Sequence, residues 1–164
     1  MTAFAIATIA LGPGALGICP MPGREGAYCK DIAAIIGWGP ALVLTMATTA
    51  ELTANGASGI GADLGAQGVE WRHLPVPDFG SDSAALQGGW GGASADALTI
   101  LRHGGRVLAH CMGGCGRSGM ALLRLMVEAG EAPDAALGRL RAARPCAVET
   151  EAQRLWAVAP AGCF

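Results

Sequence analysis

The sequence predicts an α/β fold: one domain over residues 1–164, with a mainly parallel central sheet of about four or five strands flanked by helices. Three observations predict it. Short apolar runs alternate with amphipathic stretches of helical spacing along the whole chain, the pattern of strands joined by helical crossovers. The length of 164 residues suits one domain that buries roughly two thirds of its unfolded surface and needs no disulfide or metal to fold. Hydrophobic residues make up 52% and charged residues 15%, which describes a globular chain and argues against disorder.

The elements follow in order. Met1 to Leu11 is apolar but lacks a basic leader and breaks at Gly12-Pro13-Gly14, so Ala3 to Leu11 reads as a buried strand rather than a signal peptide. Gly12 to Gly26 reads as a loop or hairpin returning toward the sheet. A helix begins near Lys30, carries the apolar residues Ile32, Ile35 and Ile36, and stops at Gly37-Trp38-Gly39-Pro40. Ala41 to Met46 is a fully buried strand. Thr48-Thr49-Ala50-Glu51 is a capping-box pattern opening a short helix, and Gly59 to Ala66 forms another. Val69 to Leu74 alternates as a strand, and Pro75 to Ser83 is a loop. A helix then runs from about Ala93 to His103, followed by the strand Arg106 to Ala109. Helices over Arg117 to Ala129, Pro133 to Ala143 and Glu149 to Ala157 finish the chain. Trp38, Trp71 and Trp156 read as core residues, whereas Trp90 sits among glycines and is expected to be exposed near a substrate.

Charge excludes some partners. A net charge of −2 and a pI near 5.9 give no basic field for nucleic acid or an anionic membrane. No run approaches the ~20 apolar residues that span a bilayer. The six cysteines, Cys19, Cys29, Cys111, Cys115, Cys146 and Cys163, form no CxxC or regular framework, and they point to a reducing, cytoplasmic setting.

Chemistry concentrates at His110-Cys111-Met112-Gly113-Gly114-Cys115-Gly116-Arg117-Ser118-Gly119, where a strand hands over to a helix. Glycines let the backbone of Met112 to Gly116 curl so that its N–H groups point inward, and the helix behind adds unpaired amides and a positive dipole end. A phosphate-sized oxyanion fits there. A sulfur facing such amides is favoured as the thiolate nucleophile, and Arg117 adds a planar fork of donors matching two oxygens of a tetrahedral anion. Ser118 brings a hydroxyl beside the sulfur. A glycine-rich turn with a buried cysteine would leave Arg117 without a purpose. A zinc site on His110, Cys111 and Cys115 would lack a fourth ligand and set Arg117 beside a cation.

His-Cys, five residues, Arg-Ser-Gly resembles the signature of the cysteine-dependent protein phosphatases, tyrosine and dual-specificity. Trp38-Gly39, Thr49-Ala50-Glu51-Leu52, His73-Leu74-Pro75-Val76-Pro77-Asp78 and Arg144-Pro145 extend the resemblance over most of the chain, which is most similar to the compact dual-specificity type of the kinase-associated phosphatase group and its small bacterial relatives. The resemblance implies a metal-independent phosphomonoesterase working through a phosphocysteine at Cys111, with no cofactor, acting as a monomer on a phosphorylated protein or peptide. It puts Asp78, on the Pro75–Gly80 loop, in the role of general acid and later of base, with Asp82 as the alternative. Ser118 would ease departure of the sulfur, and Met112, Gly113, Gly114, Cys115 and Gly116 would line the phosphate. His110 is expected to orient the loop from behind rather than act as a base, since it precedes Cys111 in a strand and points to the other face. Glu149-Thr150-Glu151-Ala152-Gln153 is similar to a Gln-Thr-x-x-Gln segment that positions the hydrolytic water, with Glu149 in place of the first Gln; a helix start is the equal reading. Cys115 is expected either to pack as a small residue or to trap an oxidised Cys111 as a disulfide. Alternatives are a non-catalytic phosphoprotein-binding module, a phosphatase of non-protein phosphates, and a sulfur-transfer or arsenate-reducing enzyme.

Overall fold

The structure, a computed structural model, describes Ala3 to Ala159; Cys163 lies outside the described residues. Five strands form one sheet in the order β1-β2-β5-β3-β4: β1 (Ala7–Leu11), β2 (Gly14–Cys19), β3 (Leu42–Thr45), β4 (Glu70–His73) and β5 (Arg106–His110). β1 and β2 are an antiparallel hairpin, and every other pairing is parallel. The expected mainly parallel sheet is thus present. Gly12 to Gly26, read as a loop or hairpin returning toward the sheet, takes the hairpin form: Gly14 to Cys19 is a full strand paired with β1 and lying beside β5. Its glycines obscure a run that is buried almost throughout, and Trp38 lies where a side chain on Gly17 would stand.

Alternate residues of each strand face opposite layers. Leu42, Leu44, Val107 and Ala109 join the cluster built by α4 (Ala84–Arg102), α5 (Gly116–Glu128), α6 (Pro133–Ala143) and α7 (Glu151–Val158). Val43 and Leu108 join the cluster of α1 (Tyr28–Trp38), α2 (Thr49–Ala54) and α3 (Ile60–Ala66). α5 is buried along its length from Gly116 to Met126, as a helix enclosed by a sheet and neighbouring helices must be. Among the described residues no helix is long and apolar enough to cross a membrane.

α4 corrects an expectation. It begins at Ala84, a full two turns before Ala93, because the Ser83 hydroxyl caps it by accepting from Leu86 N at 3.0 Å, and because Leu86, Trp90, Ala93, Ala97 and Leu101 make one apolar stripe. Gly88, Gly89, Gly91 and Gly92 weaken helix propensity, yet packing on the sheet outweighs it. Trp90 is consequently not an exposed substrate contact. It is 7% exposed, meets Trp156 edge to face, and donates from Nε1 to Glu128.

What matters for function is that β5, β3 and β4 run parallel, so their carboxyl ends open on one side of the sheet. Cys111 follows β5, the Thr48–Glu51 cap follows β3, and Pro75 to Gly80 follows β4. Met46 N donates to His110 O and Val76 N to Met46 O, which prolongs the pairing beyond the strands and draws the three connections together.

Candidate functional site

The loop after β5 turns its carbonyls outward. Met112 O accepts from Met21 N, Gly113 O and Gly114 O accept from the Arg144 guanidinium at 2.9 Å each, and Cys115 O accepts from Gly119 N and Val148 N. The amides of Met112 to Ser118 make no hydrogen bond to the described residues. With carbonyls held outside, these N–H groups are left for a ligand on the inside, at the N-terminus of α5. Gly114 makes the curl possible: its φ is +67°, and a Cβ there would come within 2.4 Å of the Cys19 carbonyl carbon. Cys111, which opens this loop, is 3% exposed, with Sγ 3.3 Å from Ser118 Oγ.

Arg117 is 1% exposed and fully committed on one side. Its Nη1 donates to Glu51 Oε2 at 2.7 Å and to Val76 O at 2.9 Å; its Nη2 donates to Glu51 Oε1 at 2.8 Å and lies 3.0 Å from Asp78 Oδ1. Nε makes no bond to the described residues, so Nε and the Nη2 edge that Asp78 occupies are the donors available to an oxyanion. Glu51, which the sequence reading placed only in a helix cap, also comes to the site. It does two jobs: it closes the capping box of α2 by accepting from Thr48 N and Oγ1, and it grips Arg117 with both oxygens. The hydrogen bonds from Arg117 and Thr48 hold its carboxyl at about 2.

Glu51→Gln keeps the shape but leaves one acceptor where the fork needs two. The expected result is a loss of roughly 10²-fold in kcat/KM from misplaced guanidinium alone, measured on an aryl phosphate. The same carboxyl links stability to pH. Its folded value lies below its ordinary 4.5, so its contribution is present above that pH and disappears as pH falls toward about 2. His110, pushed down to about 4 by burial, makes the chain lose stability as pH falls below 6.5. Thermal melts should therefore decline from pH 6.5 downward, and Glu51→Gln should lack the portion below about 4.5.

His110 ends β5, directly before Cys111. It is fully buried; Trp71 Nε1 donates to Thr45 Oγ1, the Thr45 hydroxyl is hydrogen-bonded to His110 Nε2 at 2.7 Å, and His110 Nδ1 faces Cys111 O at 3.4 Å. This chain suits a neutral ring bracing the residue that carries the sulfur. Of the two acid candidates, Asp78 reaches Arg117, whereas Asp82 is held by Gln87 Nε2 at 2.8 and 2.9 Å on the first turns of α4. Phe79, 61% exposed, has φ +59°, and Asp78 Oδ1 accepts from its amide.

Glu149 and Gln153 also come to the site. Thr150 and Gln153 form the capping box of α7, and Gln153 Nε2 donates to Gly80 O at 3.1 Å, tying the Asp78 loop to this helix. A Cβ on Gly116 would lie 2.3 Å from Glu149 Oε2 and 2.8 Å from Gln153 Nε2, so both side chains rest on the first turn of α5. Cys115 departs from both expectations for it. It is bonded to Cys146, 31 residues on, with Cα atoms 5.1 Å apart, and so is neither simple packing nor a partner of Cys111. Cys19, Cys29 and Cys111 are free thiols.

No family model and no curated protein sequence matches this chain. Its neighbours among solved structures are dual-specificity and tyrosine phosphatases. The kinase-associated phosphatase, crystallised with its catalytic-site cysteine replaced by serine, superposes with a TM-score of 0.80 at 22% identity, over 96% of this chain and 93% of its own. Tk-PTP in its active form superposes at 0.64 with 28% identity, over 86% and 87%. PTPMT1 in complex with PI(5)P superposes at 0.70 with 14% identity, over 92% of each chain.

Proposed function

We propose that this chain, which has the dual-specificity phosphatase fold, is a metal-independent phosphomonoesterase that forms a phosphocysteine at Cys111. One observation carries the reading: seven consecutive amides, Met112 to Ser118, are left unbonded by the described residues at the N-terminus of a buried helix, where Cys111 Sγ lies 3.3 Å from Ser118 Oγ and the Arg117 guanidinium is buried. Those donors neutralise the three equatorial oxygens of a phosphoryl group in transfer, the electrostatic part of catalysis that a metal would otherwise supply.

The steps use groups already described. A phosphate entering the loop takes Nε and the Nη2 edge of Arg117, displacing Asp78 from the position it holds as an internal anion. Asp78, freed beside the phosphate, takes up a proton from solvent and passes it to the leaving oxygen as the Cys111 thiolate attacks phosphorus in line and the P–O bond to the leaving group breaks. Water then attacks the phosphocysteine with Asp78 as base, and the Ser118 hydroxyl stabilises the departing sulfur. Gln153, through Gly80, keeps the Asp78 loop over the site, and Glu149 stands near the water's path. We take the whole chain as one phosphatase domain acting as a monomer in the cytoplasm on a phosphorylated protein or peptide. The loop side chains Met112, Gly113 and Gly114 support that substrate class, since they give no cluster of cations for a highly charged inositol phosphate.

Steady-state hydrolysis of p-nitrophenyl phosphate in EDTA tests the reading: turnover inhibited by vanadate is expected. Absence of turnover with phosphopeptide binding intact would favour the binding module instead. A phosphopeptide panel set against soluble phosphoinositides would then separate protein from non-protein substrates.

A further inference from the structure

The loop is fastened from behind by the segment Arg144 to Val148, which follows α6. It has three fastenings: the Arg144 guanidinium on the carbonyls of Gly113 and Gly114, the Val148 amide on Cys115 O at 3.3 Å, and the Cys115–Cys146 disulfide. The segment is itself under constraint. Val148 has φ +65°, a region that a β-branched residue rarely adopts, and Arg141 holds it there by donating to Ala147 O at 3.0 Å and Val148 O at 2.9 Å. The two sulfurs differ in access. Cys146 is exposed and borders a groove of about 590 Å³ lined also by Pro20, Met21, Arg24, Gly113 and Arg144, whereas Cys115 is half-buried.

We propose that the Cys115–Cys146 disulfide is a thiol–disulfide exchange site whose reduction by a dithiol loosens the loop and lowers its affinity for oxyanions. This rests on the reading of that loop as an anion cradle. A thiolate of the dithiol attacks Cys146 Sγ from the groove and forms a mixed disulfide; the S–S bonding pair leaves with Cys115 as a thiolate, which takes up a proton. The second thiol of the reductant then attacks its own sulfur in the mixed disulfide and releases the Cys146 thiolate, so the protein gains two electrons and two protons while the dithiol becomes a disulfide. The catalytic sulfur takes no part. Without the covalent fastening, the loop is tied to the segment only by the Arg144 and Val148 hydrogen bonds, while Ala147 and Val148 stay packed in the core, and the amide ring must be ordered when the anion binds rather than before. The site's affinity then follows the thiol balance of its surroundings.

The test uses Cys111→Ser protein, so that neither turnover nor oxidation of that thiol contributes, with inorganic phosphate as the probe. Calorimetry on the oxidised protein, on the same protein after dithiothreitol, and on Cys111→Ser/Cys146→Ser should show Kd rising roughly 3- to 10-fold on reduction. The Cys146→Ser protein should match the reduced value and ignore dithiothreitol, and maleimide mass tagging should count two new thiols in the first protein only. Equal phosphate affinity in both redox states, or no thiols released by dithiothreitol, would overturn the switch and leave the anion cradle standing. No phosphate binding in either state would overturn both.

Discussion

Cys111→Ser should abolish turnover, by something like ~10⁶-fold in kcat as for removal of other enzyme nucleophiles, while phosphate affinity stays nearly unchanged. The amide ring and the Arg117 fork survive, and the serine hydroxyl occupies the same place beside Ser118 Oγ, but it lacks the nucleophilicity of sulfur. Arg117→Lys provides the contrast. A point charge cannot hold both Glu51 oxygens and still present two donors to an oxyanion, so binding and turnover should fall together. Single-turnover kinetics on p-nitrophenyl phosphate beside phosphate titration separates the two failures. Retained turnover in Cys111→Ser would remove the phosphocysteine from the mechanism.

Asp78→Asn should lower kcat by ~10² to ~10⁴ on a phosphotyrosine peptide, the usual worth of a placed general acid. The loss should shrink across a series of aryl phosphates as the phenol becomes more acidic, because an activated leaving group needs no proton in the transition state. Asp82→Asn is the control. Its carboxylate is spent on Gln87 and makes no contact with Arg117, so its kcat should stay near that of the unaltered enzyme across the series. A larger, leaving-group-dependent loss in Asp82→Asn would move the acid role there.

Much of this was legible in the sequence because it is local. The spacing of Cys111, Arg117 and Ser118 implies a loop closing on itself, and Thr48 with Glu51 implies a helix cap; both are present as expected. The second job of Glu51 was not legible, since its partner Arg117 lies 66 residues away and only the parallel order of β5 and β3 brings the two together. The disulfide was hidden for the same reason. Cys146 follows α6 with no pattern to tie it to Cys115, and six cysteines allow many pairings. α4 was misread for a different cause: four glycines in its first half argue locally against a helix, while an apolar stripe seen only against the sheet decides for one.

The sheet order separates the two halves of the chemistry. Cys111 leaves a strand bonded on both sides, by β2 and β3, whereas Asp78 leaves β4, which is bonded to β3 alone. A change of length between Pro75 and Ser83 leaves the β4 register intact but would carry Val76 O and Asp78 away from Arg117, while any change in the length of the β5 connection would displace the sulfur from its amides. The sulfur is thus set from the centre of the sheet and the carboxylate from its rim, and Arg117 is the side chain that both meet.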